Sequence, residues 1–282
     1  MQRIGNDIHH ATRGFTIRTY PGSVLDMCAA PGGFLATAMK LNPEAEVVAF
    51  SLPHSDGGYY VLLDRDKKGC VKFLDITMLA ADMGVTDIPE KHPDAGRFLP
   101  RQLSETQLFD LVICDGHVLR THTRAPYRET REPARLKTTQ LALGLEHIRP
   151  GGTMIVLFHK LGYWDTVCYL RRFAKFSSVQ LYKPTEGHTQ RSSFYMVATD
   201  VKCQDPEAIL AIEDWKALWR AATFGTEKDF AEALREGEPS AEELLEEFGS
   251  ELVKHGKKVW ETQANALAQA SYIKNPNNVN LS

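Results

Sequence analysis

The stretch Val24-Leu25-Asp26-Met27-Cys28-Ala29-Ala30-Pro31-Gly32-Gly33-Phe34 constrains this chain more than any other. An apolar run ends in an acid, small residues and glycines follow, and a helical pattern then runs through Phe34, Leu35, Ala38 and Leu41 until Asn42-Pro43 stops it. Small residues between a buried strand and a helix let a ligand come close to the backbone. In open α/β sheets the crevice at the carboxyl ends of the strands is where ligands bind. The spacing is not G-x-G-x-x-G and no G-K-[ST] follows, so the segment reads as neither a dinucleotide loop nor a phosphate loop.

The same alternation continues downstream. Val47 to Phe50 reads as a second buried strand and Val71 to Asp75 as a third. Residues 84–108, with Pro89, Pro93 and Pro100, read as an irregular insertion. Phe109 to Cys114 is a strand ending at Asp115, and Leu136 to Ile148 has helical spacing. Arg149-Pro150-Gly151-Gly152 predicts a sharp turn before a strand over Thr153 to Phe158. A helix over Asp165 to Ala174 and strands over Val179 to Tyr182 and Phe194 to Thr199 complete the pattern. Strands alternating with helices predict an α/β fold with a mostly parallel sheet. After residue 204 only helical patterns remain: Ala208 to Ala222, Glu227 to Glu236, and Ala241 to about Ala270. Ser240 with Glu243 fits a capping box at the start of the last one. Residues 275–282 are expected to fray. The expected organisation is thus a domain over residues 1–204 and an acidic, helical C-terminal extension over 205–282.

Charge follows that division. The whole chain carries −3, but residues 1–204 carry 25 basic and 21 acidic residues and residues 205–282 carry 8 basic and 15 acidic. The near-neutral total is a cancellation, so it does not exclude a local basic face. No apolar run reaches the roughly 18 residues of a membrane helix, and the first residues lack the apolar stretch of a secretory signal. The five cysteines are odd in number and form neither a CxxC nor a His/Cys cluster. They argue for a reducing, intracellular setting, and against a disulfide framework or a metal site.

D-M-C-A-A-P-G-G-F resembles the S-adenosylmethionine (SAM) signature of the FtsJ/RrmJ family of RNA ribose 2′-O-methyltransferases. The resemblance extends to FDLVICDG (109–116), to the helix–RPGG–strand unit (136–158), and to Lys183-Pro184 through Arg191-Ser192-Ser193 and Ala198. It spans about residues 20–200, and the opening of the chain and the FSLP segment look closest to fungal FtsJ-domain proteins. It implies a Rossmann-like methyltransferase fold with SAM over the strand ends. It also implies a SAM loop of Asp26, Ala29, Pro31, Gly32, Gly33 and Phe34, with Asp75 facing the adenine amino group and Asp115 beside the transferred methyl. Asp75 has a second reading, as a helix cap before Ile76-Thr77. Where the family has a ribose-binding acid this chain has Ser51, with Asp56 nearby in the following loop.

The family's catalytic set, Lys-Asp-Lys-Glu, is kept in part. Asp115 matches the Asp, but no Lys occurs before Lys40, and the second Lys position falls on Leu157. The Glu position falls on Ser193, with Glu186 the nearest carboxylate upstream. Lys160 is the catalytic candidate just past the strand, with a solvated strand-end lysine as its other reading. Between Asp115 and the next helix, residues 117–137 hold six Lys/Arg against two Glu. The resemblance places this loop above the active site, with Arg120, Arg124, Arg128 and Arg131 as candidate RNA contacts and Tyr127 available to stack a base. Arg171, Arg172 and Lys175 extend that expected face. RNA ribose methylation with SAM is the leading reading. Two others stay open: a SAM-binding pseudoenzyme or RNA-binding scaffold, and a methyltransferase for a non-RNA substrate.

Overall fold

Among the described residues the alternating pattern resolves into seven strands: β1 (Ser23–Asp26), β2 (Glu46–Ser51), β3 (Val71–Phe73), β4 (Phe109–Cys114), β5 (Ile148–His159), β6 (Ser178–Tyr182) and β7 (Ser193–Val201). The structure, a computed structural model, describes residues 1–64, 70–237 and 239–270. The expected fraying at 275–282 lies outside the described residues. The strands form one sheet in the order β3-β2-β1-β4-β5-β7-β6, parallel except for β7, which runs antiparallel to both neighbours. The chain leaves β1 toward one edge and returns to β4 on the other side. The carboxyl ends of β1 and β4 therefore diverge and open a crevice between them.

Period-two alternation gives the sheet two apolar faces. Val24, Leu111, Ile155, Leu157 and Tyr195 pack with helices α1 (Gln2–Thr12) and α2 (Gly33–Leu41). Leu25, Val112, Val156, Phe158 and Met196 pack on the other face. That side is covered by α3 (Glu132–Glu146), α4 (Trp164–Phe176), α5 (Pro206–Phe224) and α7 (Ala241–Ala268). A short helix α6 (Glu227–Ala233) joins the last two. α1 has no counterpart in the sequence reading, because only Ile4, Gly5 and Ile8 of it are buried and so short a stripe carries little periodicity.

Two glycine sites shape the chain. Gly32 has φ +103°, and a Cβ on Gly33 would stand 2.3 Å from the Met1 Cβ, so α1 begins directly against the turn. The predicted turn at 149–152 is instead a bulge inside one long β5. Gly151 adopts φ +81°, and the β4–β5 register shifts between Phe109 and Leu111, which absorbs the extra residues without ending the strand.

The change of charge near residue 205 is not a change of core. Leu141, Phe173, Trp215, Trp219 and Phe248 belong to one buried cluster, and the Trp219 indole donates to the Thr77 carbonyl at 3.2 Å. Leu210, on the outer face of α5, is 47% exposed. The acidic tail also occupies the cations expected to widen a basic face. Lys175 pairs with Glu207 (2.9 Å), Arg172 with Asp214 (2.5 Å) and Arg171 with Glu247. The capping box at Ser240 and Glu243 forms as expected.

Trp219→Ala should cost about 3–5 kcal/mol in urea denaturation, whereas Leu210→Ala should stay within about 0.5 kcal/mol. Equal effects would show that α5 is not part of the core.

Candidate active site

A cleft of about 300 Å³ opens where β1 and β4 diverge. Its walls come from the turn after β1 (Met27, Cys28, Ala30, Pro31), the end of β2 (Ser51), the segment after β3 (Asp75, Thr77), the end of β4 (Asp115, His117) and the ends of β5 and β7 (Leu157, His159, Ser193, Tyr195). These walls gather at one edge because the parallel strands deliver their carboxyl ends there and antiparallel β7 delivers its amino end to the same edge. The loop carrying His188 and Arg191 closes one side. It is tied down by the buried Lys183 ammonium, which donates to the carbonyls of His188 (2.9 Å), Ser193 (2.7 Å) and Arg191.

The glycine-rich turn contributes unequally. Pro31 lines the cleft, while Asp26, Ala29 and Phe34 are buried behind it. Asp26 accepts from the Cys28 backbone N–H at 3.1 Å and thereby shapes the turn. Phe34 meets Phe15 and Tyr195 edge-on in the core. Gly32 and Gly33 serve the close approach of α1 described above.

At the β4 end the chemistry concentrates. Asp115 keeps part of its surface toward the cleft, yet burial pushes its carboxyl up to about 7, against the pull of Tyr195 and Lys137. Burial also pushes Asp26 up to about 8, and the charge of Asp115 adds to that shift. The Tyr195 hydroxyl is buried beside Asp115 and completes no hydrogen bond by distance and angle, and the same is true of Nε2 of His159. The His159 ring lies 5.0 Å from that of His117. Burial and neighbouring cations push His159 down to about 4, so it is neutral at physiological pH. Two buried acids held near the point of protonation, with the Tyr195 hydroxyl beside one of them and a buried imidazole nitrogen without a partner, mark an end of the cleft suited to meet a ligand.

Asp75 lies in the opposite wall and both of its readings have a basis. Its carboxylate caps the helical turn at Ile76–Met78 by accepting from the Thr77 N–H at 3.0 Å, and it lines the cleft. Its second oxygen accepts from Arg128 at 2.7 Å. Arg128 is 1% exposed and also donates to Glu132 and Thr77, while Arg135 bridges Glu132 (3.0 Å), the Thr77 carbonyl (3.0 Å) and Thr223 of α5 (3.0 Å). Burial alone would raise the Asp75 carboxyl, but Arg128 overrides it and holds the carboxyl below its ordinary value.

The sequence profile of the family described as FtsJ-like methyltransferase matches residues 7–201. The chain belongs to the FtsJ-like methyltransferase family. One curated relative, ribosomal RNA small subunit methyltransferase B of Klebsiella pneumoniae (strain 342), is 29% identical over 142 residues, which is 47% of this chain and 28% of that protein. The chain therefore aligns with little more than a quarter of that relative. Among solved structures, a ribosomal RNA methyltransferase from Plasmodium falciparum matches 71% of this chain and 96% of its own (14% identity, TM-score 0.42). TrmN from Thermus thermophilus matches 71% and 49% (13% identity, TM-score 0.39).

As an FtsJ-like methyltransferase the chain departs from expectation at several positions. Lys160 does not line the cleft. β5 ends at His159, Lys160 turns the backbone at φ +52°, and its exposed ammonium sits over the Tyr163 ring at 4.2 Å. Leu157 and Ser193 occupy the cleft wall as plain side chains. Asp56 does not reach the cleft either, since its carboxylate accepts from Arg97 at 3.0 Å. Of the four arginines expected to touch RNA, two are corrected by burial. Arg128 serves Asp75 and Glu132, and Arg131 is 5% exposed and bound to the Gly225 carbonyl and Glu227 at 2.7 Å each. Arg124 lines the cleft but is held by both oxygens of Glu129 (2.7 Å each), leaving Arg120 exposed.

One residue of the site was misplaced by the sequence reading. Lys137, counted with the basic loop, points inward from α3 and donates to the Leu157 carbonyl at 2.7 Å. A spacing signal existed: Lys137, Leu141 and Gly144 recur at helical period on the face that packs on β4 and β5. Among the described residues no group of three His, Cys, Asp or Glu is placed to hold a metal, and no helix is long and apolar enough to cross a membrane.

Arg128→Met strips Asp75 and Glu132 of their buried cation and should cost about 3–5 kcal/mol at pH 7. Because Arg128 depresses Asp75, its stabilising share is present above about pH 4 and lost as pH falls through the lowered value. The deficit of the variant in urea denaturation should accordingly narrow in acid. A deficit independent of pH would refute this electrostatic account.

Proposed function

We propose that this methyltransferase uses SAM as methyl donor and acts on a ribose 2′-hydroxyl of RNA. The observation that carries the reading is the pair of desolvated carboxylates, Asp26 and Asp115, at the diverging ends of β1 and β4. Burial raises the cost of ionising each, and the charge of Asp115 adds to the cost for Asp26, so a cationic ligand in the adjoining cleft relieves both. SAM is such a ligand, and when bound it supplies an electrophilic methyl on a positively charged sulfur. The remaining polar groups fit the rest of it. The Asp75 carboxylate suits an adenine amino donor, Ser51 and backbone at the β2 end suit hydroxyls, and Pro31 with its neighbours supplies a close backbone wall.

For the acceptor, Asp115 is a group of the cleft able to take a proton near neutrality, and Tyr195 beside it can orient the incoming hydroxyl. The rim supports an RNA acceptor: Arg120 and Arg191 are exposed, and Tyr59 is 59% exposed at the mouth. Cations with an aromatic platform suit phosphates and a base. The curated relative, named as a ribosomal RNA methyltransferase, supports the same substrate class.

Calorimetric titration with SAM and with its demethylated product tests the first half. Asp115 ionises near pH 7, so SAM affinity should rise several-fold between pH 6 and 8, while the neutral-sulfur product should change little. Absence of SAM binding at millimolar concentration would refute the reading. For the second half, labelled methyl from SAM should enter cellular RNA as 2′-O-methylnucleosides, and Asp115→Asn should slow transfer at least about 100-fold with a much smaller loss of SAM affinity. Label confined to a base would overturn the ribose assignment.

A further inference from the structure

The SAM-dependent reading leaves open what keeps Asp115 able to accept a proton in so dry a setting. Lys137 enters from α3 and donates to the carbonyl of Leu157 at 2.7 Å, with its ammonium 4.6 Å from the centroid of the Phe158 ring. The last registered pair of β4 and β5 is Cys114 with Val156. Asp115 and Leu157 are the next residues along, so the ammonium is anchored on the strand position beside Asp115. One helical turn further, Gln140 accepts from the Gly116 N–H at 2.8 Å. α3 thus grips both sides of Asp115, at Leu157 and at Gly116, and holds the end of β4 in place. Arg124, Arg128, Arg131 and Arg135 of the basic loop are taken by Glu129, by Asp75 and Glu132, by Glu227 and by Glu132.

We infer that Lys137 is a positioning residue that holds the Asp115 carboxyl in its ionised, proton-accepting form through the end of β5. The inference rests on Asp115 being the proton acceptor. In that step the acceptor oxygen forms the new O–C bond, the S–CH3 bond breaks with its electron pair passing to sulfur, and the hydroxyl proton passes to Asp115. Other groups face Asp115 as well: Tyr195 from β7, the amino group of Met1 from α1, and Asp26 from β1. Burial opposes ionisation of Asp115, and Lys137 is the side-chain cation that favours it. Lys137 in turn faces Cys28 and Cys114, and it disfavours a charge on His117 and His159. Burial lowers the Lys137 ammonium to about 8, so it changes charge just above Asp115. The two therefore titrate as a coupled pair.

The test reads Asp115 directly, so it is independent of activity. Protein labelled with 13C at aspartate carboxyls is titrated by NMR, with Asp115→Asn identifying the signal. In the wild type, the Asp115 carboxyl resonance should show its own midpoint and a second inflection where Lys137 loses its proton. In Lys137→Met the midpoint should rise by about one unit and the second inflection should vanish, while Lys137→Arg should keep the midpoint within about half a unit of wild type. A wild-type curve with no second inflection overturns the inference even if neither variant folds. So does an unmoved midpoint in Lys137→Met, or an equal shift in both variants. The rate of methyl transfer should follow: the acidic limb of Lys137→Met should move up by the same interval at near-wild-type SAM affinity. If the NMR result holds while wild-type protein transfers no methyl, it is the proposed function that fails and not the role of Lys137.

Discussion

The buried guanidinium of Arg128 ties together parts of the chain that are far apart in sequence. It joins Asp75 after β3 to Glu132 at the start of α3, and Arg135 extends the network to Thr223 on α5. Two arginines and two carboxylates in so dry a place persist because each charge has an opposite charge beside it. The result is a rigid wall on one side of the cleft and a fixed starting point for α3. Once α3 is fixed, Lys137 and Gln140 reach the end of β4, and the geometry at Asp115 follows from the same helix.

The two walls of the cleft are electrically opposite in design. Around Asp75 the acid is compensated and stays charged at all ordinary pH values. Around Asp115 and Asp26 the acids are under-compensated, and burial holds them near the point of protonation. One wall therefore recognises by fixed charge, while the other can exchange a proton or answer an incoming cation. The sheet topology makes this division possible, because the switch between β1 and β4 separates the strand ends that carry the two sets. The C-terminal helices belong to the same design, since α5 closes the far side of the Arg135 network and its neighbours neutralise the cations of α4.

The fold and the turn after β1 were legible in the sequence for a local reason. Strand alternation, the small residues at 29–33 and the acids at positions 26, 75 and 115 are properties of short segments, and these segments fold where period and turn chemistry say they should. The surroundings of the cleft were less legible. Lys160 follows β5 directly, yet one residue in a left-handed conformation turns it into solvent. Arg128 and Arg131 look like solvent-facing cations in a polar loop, yet their partners are Asp75, 53 residues away, and Glu227, 96 residues away. Position 157 reads as an empty catalytic site, although an amine reaches its carbonyl from 20 residues upstream.

By itself, the sequence determined an α/β sheet with a ligand crevice after the first strand, an acid at the end of the fourth, and a helical, acidic tail. Those features are written in the period of apolar residues and in the steric freedom of glycine, both local properties of the chain. Only the tertiary structure decided which cations face the crevice and which are consumed in the core. A charged side chain has no fixed role until folding settles how much water it keeps and which counter-charge stands opposite, and both depend on contacts across the whole chain.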